Sequence, residues 1–280
     1  MSLSWLRLVR ASALFSPAAD VLAGLCLADA PVSALALRTI FASVLVYAAG
    51  MALNDFADRA EDAKQRKERP IPRGDIAPAH ALTLGLVLLL LGIAVSGTPV
   101  QHGILAALVL FYDFVAKRSH LAAIATMGSL RGLNLLVGAW IPAQGLATPV
   151  ILAATAYGLY IAVVTALGIC EDRASSPARV VNGLLVAAIG FATAGVALAA
   201  PRATWTAFVV PVLAAFLVRF VPPGRPVTPE RIRAEMMKLL LGCMVYASTL
   251  CLAAERWWEA VVIAAAILVS RLVARTIALT

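Results

Sequence analysis

Asp55, Asp58 and Asp62 lie in the stretch Asn54-Asp55-Phe56-Ala57-Asp58-Arg59-Ala60-Glu61-Asp62, three and four residues apart. On an α-helix that spacing sets three carboxylates along one face. Carboxylates held roughly 5–6 Å apart repel one another by about a kcal/mol at an intermediate dielectric, and a divalent cation removes that cost. Oxygen ligands that leave room for waters and for phosphate oxygens suit Mg²⁺. A second reading stays open on these residues alone. It is a solvated helix end, with Asp62 pairing to Arg66 and Lys64 to Glu68 at i,i+4.

The sequel favours the metal reading. Arg66-Lys67-Glu68-Arg69-Pro70-Ile71-Pro72-Arg73-Gly74-Asp75 ends the helix with two prolines and a glycine, which fix a bent loop. Arg66, Arg69 and Arg73 are thereby expected close to the acids. Cations beside metal-binding carboxylates suit a polyanionic substrate such as a diphosphate.

These groups must be carried by membrane helices. Of 280 residues 62% are hydrophobic and 14% charged, far more apolar than a soluble domain, so the solvent is lipid. Apolar runs of about 20 residues fall at 9–29, 32–54, 77–97, 99–116, 119–143, 147–170, 178–200, 203–221, 234–254 and 257–275, which predicts ten crossings. The formal charge of +8 raises the question of nucleic acid, but the basic residues cluster in short loops. With the N-terminus inside, nineteen of the 23 Lys and Arg fall on the cytoplasmic side. Arg38, Arg202 and Arg256 fall on the other side, and Arg131 stays within a helix. That is the positive-inside pattern. The loops at 55–76, 172–178 and 222–233 share the cytoplasmic side, so chemistry is expected there.

Cys26, Cys170, Cys243 and Cys251 stand singly in apolar runs, and His80, His102 and His120 are scattered, so neither type shows zinc-site spacing. Arg7 and Arg10 precede an apolar run without a cleavage site, which is read as a first membrane helix rather than a signal peptide. No separate soluble domain or repeat is evident, and residues 1–280 are read as one all-α polytopic bundle.

At Asn54, Asp55, Asp58, Asp62, Arg69, Pro70 and Gly74 the chain resembles the UbiA family of membrane prenyltransferases, whose first motif is N-D-x-x-D-x-x-x-D followed by R-P-x-x-x-G. The likeness extends to Leu8-Val9-Arg10, to Ser16 through Gly24, and to Tyr112 with Lys117-Arg118. Leu130-Arg131-Gly132-Leu133-Asn134 with Gly138 further resembles the EboC-like branch. The resemblance implies a nine-helix bundle, against the ten read from the apolar runs, and Mg²⁺-dependent transfer of a prenyl group from a prenyl diphosphate to an unidentified acceptor; the positive-inside bias fits a bacterial inner membrane. It implies Asp55, Asp58 and Asp62 as metal ligands oriented by Asn54, and Arg10, Arg66, Lys117 and Arg118 as diphosphate contacts. Asp20, Tyr112, Arg131 and Asn134 are expected in the substrate pocket, with Arg131 and Asn134 equally readable as helix-packing groups beside Gly132.

One departure stands out. The family carries a second motif, D-x-x-x-D, that completes the metal cage; here Cys170-Glu171-Asp172-Arg173-Ala174-Ser175-Ser176 has Asp172 at its first position and Ser176 at the second. Glu171 and Asp172 are the acids offered for a second cation, or else a helix end paired with Arg173 or Arg179. The CDP-alcohol phosphotransferase pattern D-G-x-x-A-R is lacking. A ten-helix metabolite transporter, or a lipid-diphosphate-binding protein without catalysis, is the rival; transporters, however, place binding groups near the bilayer midplane, whereas these acids crowd one edge.

Overall fold

A computed structural model describes residues 3–141, 146–171, 175–199, 204–222 and 224–278. Among them the chain forms α1 (Leu3–Leu8), α2 (Phe15–Leu27), α3 (Ala34–Ala57), α4 (Arg59–Gln65), α5 (Pro78–Val95), α6 (Pro99–Phe114), α7 (His120–Ala139), α8 (Thr148–Glu171), α9 (Ala178–Ala199), α10 (Val209–Leu217), α11 (Pro229–Ala253) and α12 (Trp257–Ala278). Eight are long and apolar enough to cross a membrane, and the apolar helices within Ala11–Leu27 and Trp205–Ala214 are shorter. The molecule is an integral multi-pass membrane protein of the all-α class. Large apolar side chains on its outside, such as Phe41, Leu90, Leu121 and Leu272, are more than half exposed, as a surface solvated by lipid requires.

Each of the ten predicted segments contains one of these helices, and two of them are interrupted. In the first, Arg10 takes a left-handed conformation at φ 49°, so α1 ends and a 3-10 turn at Ala11–Ala13 precedes α2. In the eighth, α10 is only nine residues long. The segment still returns the chain from one end of the bundle to the other. Trp205 stacks on Trp257 with centroids 6.5 Å apart, while the Val221 N–H donates to Asn182 Oδ1 at 3.0 Å.

The two chain ends meet on one face. Arg7 donates to the Ile277 carbonyl at 3.0 Å and Ser270 to that of Ser12 at 2.6 Å. On the opposite face Arg38 donates to the Val95 carbonyl and Arg256 to that of Ala30. On the face that carries the chain ends, the loops at 172–178 and 222–233 contribute a two-residue antiparallel pairing, Ser176 opposite Val227 and Pro177 opposite Pro226.

Packing is closest where α2 meets α7. A Cβ built on Gly138 would lie 1.9 Å from the Val21 carbonyl oxygen, and one on Gly24 would lie 2.0 Å from that of Leu135. Helices in lipid gain association energy from such backbone approach, since hydrophobic burial gives them little. Cys26, Cys170, Cys243 and Cys251 are buried free thiols among the apolar side chains of the main core.

Candidate active site

α3 delivers Asn54 and Asp55 to the face of the bundle that carries the chain ends, and then the helix breaks. Asp58 sits between α3 and α4 at φ −84°, ψ 0°, still bonded through its N–H to the Asn54 carbonyl at 2.9 Å. The single carboxylate stripe expected from spacing is therefore divided. Asp55 and Asp62 are buried and converge on the loop that follows α4. One Arg69 nitrogen lies 3.1 Å from Asp55 Oδ1 and 2.6 Å from Asp62 Oδ2. Asp58 turns instead toward the end of α6, where Lys117 Nζ donates to both its oxygens at 2.9 Å.

Lys117 also pairs with Asp113 at 3.4 Å, and Asn54 Nδ2 donates to Asp113 Oδ1 at 3.3 Å. Asp113 is thus a fourth carboxylate of the cluster. Its signal in the sequence was the i,i+4 spacing to Lys117, next to Tyr112. Tyr112 presents its ring 5.5 Å from Lys117 Nζ.

Arg10 reaches Asp55 at 3.6 Å. A left-handed non-glycine residue costs about 1 kcal/mol, and the break aims this guanidinium at the acids. Arg66 lies 3.5 Å from Asp62. Arg73 pairs with Asp75 at 3.3 Å rather than with the acidic cluster, and Arg118 is exposed. The loop is shaped by Gly74, at φ 80°, and by the Asp75 and Ile76 N–H groups, both donating to the Pro70 carbonyl.

The second acidic region is less built. Asp172 lies outside the described residues. Glu171 ends α8 and pairs with Arg233 of α11 at 2.7 Å, a partner the sequence reading did not offer. Ser176 Oγ donates to the Cys170 carbonyl at 3.2 Å.

Below the acids a cavity of about 570 Å³, open mouth included, runs between α3, α6 and α7. Asn54, Tyr112 and Asp113 line its mouth, and Tyr47, Met51, Val109, Met127, Leu130, Arg131 and Asn134 its walls. The exposed wall is overwhelmingly carbon. Asp20 stands behind that wall, fully buried. It receives Arg131 at 3.1 Å, Asn134 Nδ2 at 3.1 Å and the Tyr157 hydroxyl at 2.8 Å. Arg131 donates further to Tyr157 at 2.8 Å and to Ser16. The expected pocket residues are therefore together, three on the wall and Asp20 holding two of them in place. Tyr157 was missed, and Ser16 was named only within the stretch that carries the resemblance, because neither belongs to a charged pattern.

Among the described residues, no three acidic, histidine or cysteine side chains already form a metal cage. The donor set nevertheless fits a hard divalent cation. Asp55 and Asp62 share one cationic nitrogen, as do Asp58 and Asp113, so each pair already brings two carboxylate groups around one positive charge.

The model of the UbiA prenyltransferase family matches residues 19–222. The chain belongs to that family. A digeranylgeranylglyceryl phosphate synthase of Methanothrix thermoacetophila is 32% identical over 139 residues, 47% of this chain and 52% of that one. A protoheme IX farnesyltransferase of Anaeromyxobacter sp. is 35% identical over 119 residues, 41% of this chain and 38% of that one. The matched stretch thus spans about half or less of these relatives. In fold, this UbiA-family chain is similar to a UbiA homolog of Archaeoglobus fulgidus whose structure is bound to DMAPP and Mg²⁺. The TM-score is 0.61 at 14% identity, over 89% of this chain and 99% of that one.

Proposed function

We propose that this protein is a Mg²⁺-dependent prenyltransferase that moves a prenyl group from a prenyl diphosphate to an acceptor at the cytoplasmic side of a bacterial inner membrane. The observation that carries the reading is the junction of two unlike environments. A mouth of alternating carboxylates and cations opens directly onto an apolar cavity, with Asn54 and Asp113 lining the cavity and touching the charged cluster. A prenyl diphosphate has the same division into a polyanionic head and a hydrocarbon tail. Burying that tail is favourable by about 0.8 kcal/mol per CH₂.

Asp55, Asp58 and Asp62 would hold Mg²⁺, with Asn54 fixing the neighbouring Asp113. Bound there, the cation would supply positive charge to the diphosphate oxygens as the allylic C–O bond breaks. Arg10, Arg66 and Lys117 each already face a carboxylate of the cluster and are placed to exchange it for a diphosphate oxygen. Arg118, exposed beside Lys117, is placed to meet the diphosphate from outside. The carbon wall excludes water from the allylic carbon. Tyr112 at the mouth faces that carbon with its ring, and the acceptor forms its bond there. Asp113, a carboxylate on the cavity wall, is placed to take the proton that the acceptor loses. Glu171 and Asp172 would serve a second cation once Arg233 is drawn away.

Calorimetric titration of farnesyl diphosphate into the purified protein, with and without Mg²⁺, tests this. Binding that needs Mg²⁺ and is weakened at least about a hundredfold in Asp58→Asn/Asp62→Asn is expected, with diphosphate released when an acceptor is supplied. Indifference of both proteins to lipid and metal would leave the acids a solvated helix end and bring the transporter reading forward.

A further inference from the structure

The cavity has a defined floor. Along α3 its lining begins at Asn54 and ends at Ser43, and on α6 it begins at Asp113 and ends at Leu105, one helical turn nearer the mouth than the level of Ser43. Eleven residues separate Asn54 from Ser43, about 16 Å along a helix. Just beyond, Ser43 Oγ lies 2.9 Å from His102 Nε2. The other ring nitrogen of His102 lies 2.8 Å from Ser96 Oγ and 3.2 Å from the Thr98 carbonyl. His102 and Thr39 expose no surface, so no space continues past them. A polar side chain inside a membrane bundle is costly unless it is fully bonded, and marks function by default. Bonded at both nitrogens, this imidazole is held in one orientation behind Ser43, at the end of an otherwise apolar channel.

We propose that Ser43 and His102, with Leu105 beside them, set the longest isoprenoid chain that the site accepts, and that its donor is farnesyl diphosphate or shorter. The inference rests on the prenyl-diphosphate reading above. An extended isoprene repeat is four carbons long, about 5 Å with staggered torsions and ordinary bond lengths, so about three repeats fill the distance from Asn54 to Ser43. A fourth meets Ser43 and the imidazole packed behind it. The polar groups on the wall do not interfere, since Arg131 and Asn134 turn their nitrogens to Asp20, Ser16 and the Pro17 carbonyl.

The test is the dissociation constant of the full-length protein, in nanodiscs with Mg²⁺, for geranyl, farnesyl and geranylgeranyl diphosphates. Farnesyl is expected to bind at least about tenfold tighter than geranylgeranyl. Leu105→Phe fills the floor without touching the His102 bonds; it should cost farnesyl about tenfold and leave geranyl within about twofold. His102→Ala should reverse the preference for farnesyl over geranylgeranyl. Equal affinity of the wild type for the two longer donors, or a Leu105→Phe effect equal for all three, overturns the floor while the prenyl-diphosphate reading stands. Binding of none of the three overturns both.

Discussion

One nitrogen of Arg69 stands between Asp55 and Asp62, and Lys117 stands between Asp58 and Asp113. The carboxylates are therefore paired by the chain itself, and the fold is expected to stand without a bound metal. Chelation should abolish binding of the prenyl diphosphate and leave the thermal unfolding temperature unchanged; a large fall in that temperature would mean that the cation is structural. The buried pair Asp20 and Arg131 behaves differently, because nothing outside the protein replaces it. Asp20→Asn strands a guanidinium among helices and should cost about 3 kcal/mol, read by thermal unfolding in detergent. Asp20→Leu/Arg131→Met should recover most of that loss. At this scale the grouping of the motif acids with Arg66 and Arg69 was legible from spacing, whereas the turn of Arg73 to Asp75 and the place of Asp113 were not. Its i,i+4 relation to Lys117 is shared by countless surface pairs, and only the neighbouring Asp58 and Asn54 give it a place.

The elements position these groups through two breaks that hydrophobic periodicity does not encode. A run of apolar residues reads as one helix whether or not a single residue within it is left-handed, so the turn at Arg10 was invisible. The division at Asp58 was hidden because three-and-four spacing continues through it. Likewise α10 was legible as an apolar stretch but not as a nine-residue helix, and the pairing of Ser176 with Val227 is too short to leave an alternating pattern. The loop after α4 depends on Gly74, which has a left-handed backbone and open space around it. Gly74→Ala should therefore act through the backbone alone. It is expected to destabilise the loop by about 1 kcal/mol, read as faster proteolysis between Lys64 and Arg73 and about fivefold weaker diphosphate binding. The contact of α2 with α7 is the opposite case. Gly138→Val drives side-chain atoms into the Val21 carbonyl and should cost about 3 kcal/mol, with a lowered unfolding temperature; an unchanged one would mean that these helices part freely.

For the whole molecule, both chain ends lie on one face, where Arg7 meets the last turn of α12, as an even number of crossings requires. Charge asymmetry along the sequence favours the same even count, because Lys and Arg report which side a loop occupies regardless of how the helices pack. Reporter fusions at the two ends should both behave as cytoplasmic. One end inside and one outside would remove a crossing from the count. The four cysteines, each sealed in the apolar interior without a disulfide, have a practical consequence for any such experiment. Water-soluble maleimides should find none of them in the folded protein, so a single thiol introduced beside Arg69 or at a chain end can carry a fluorophore or spin label against a silent background, with all four native cysteines left in place.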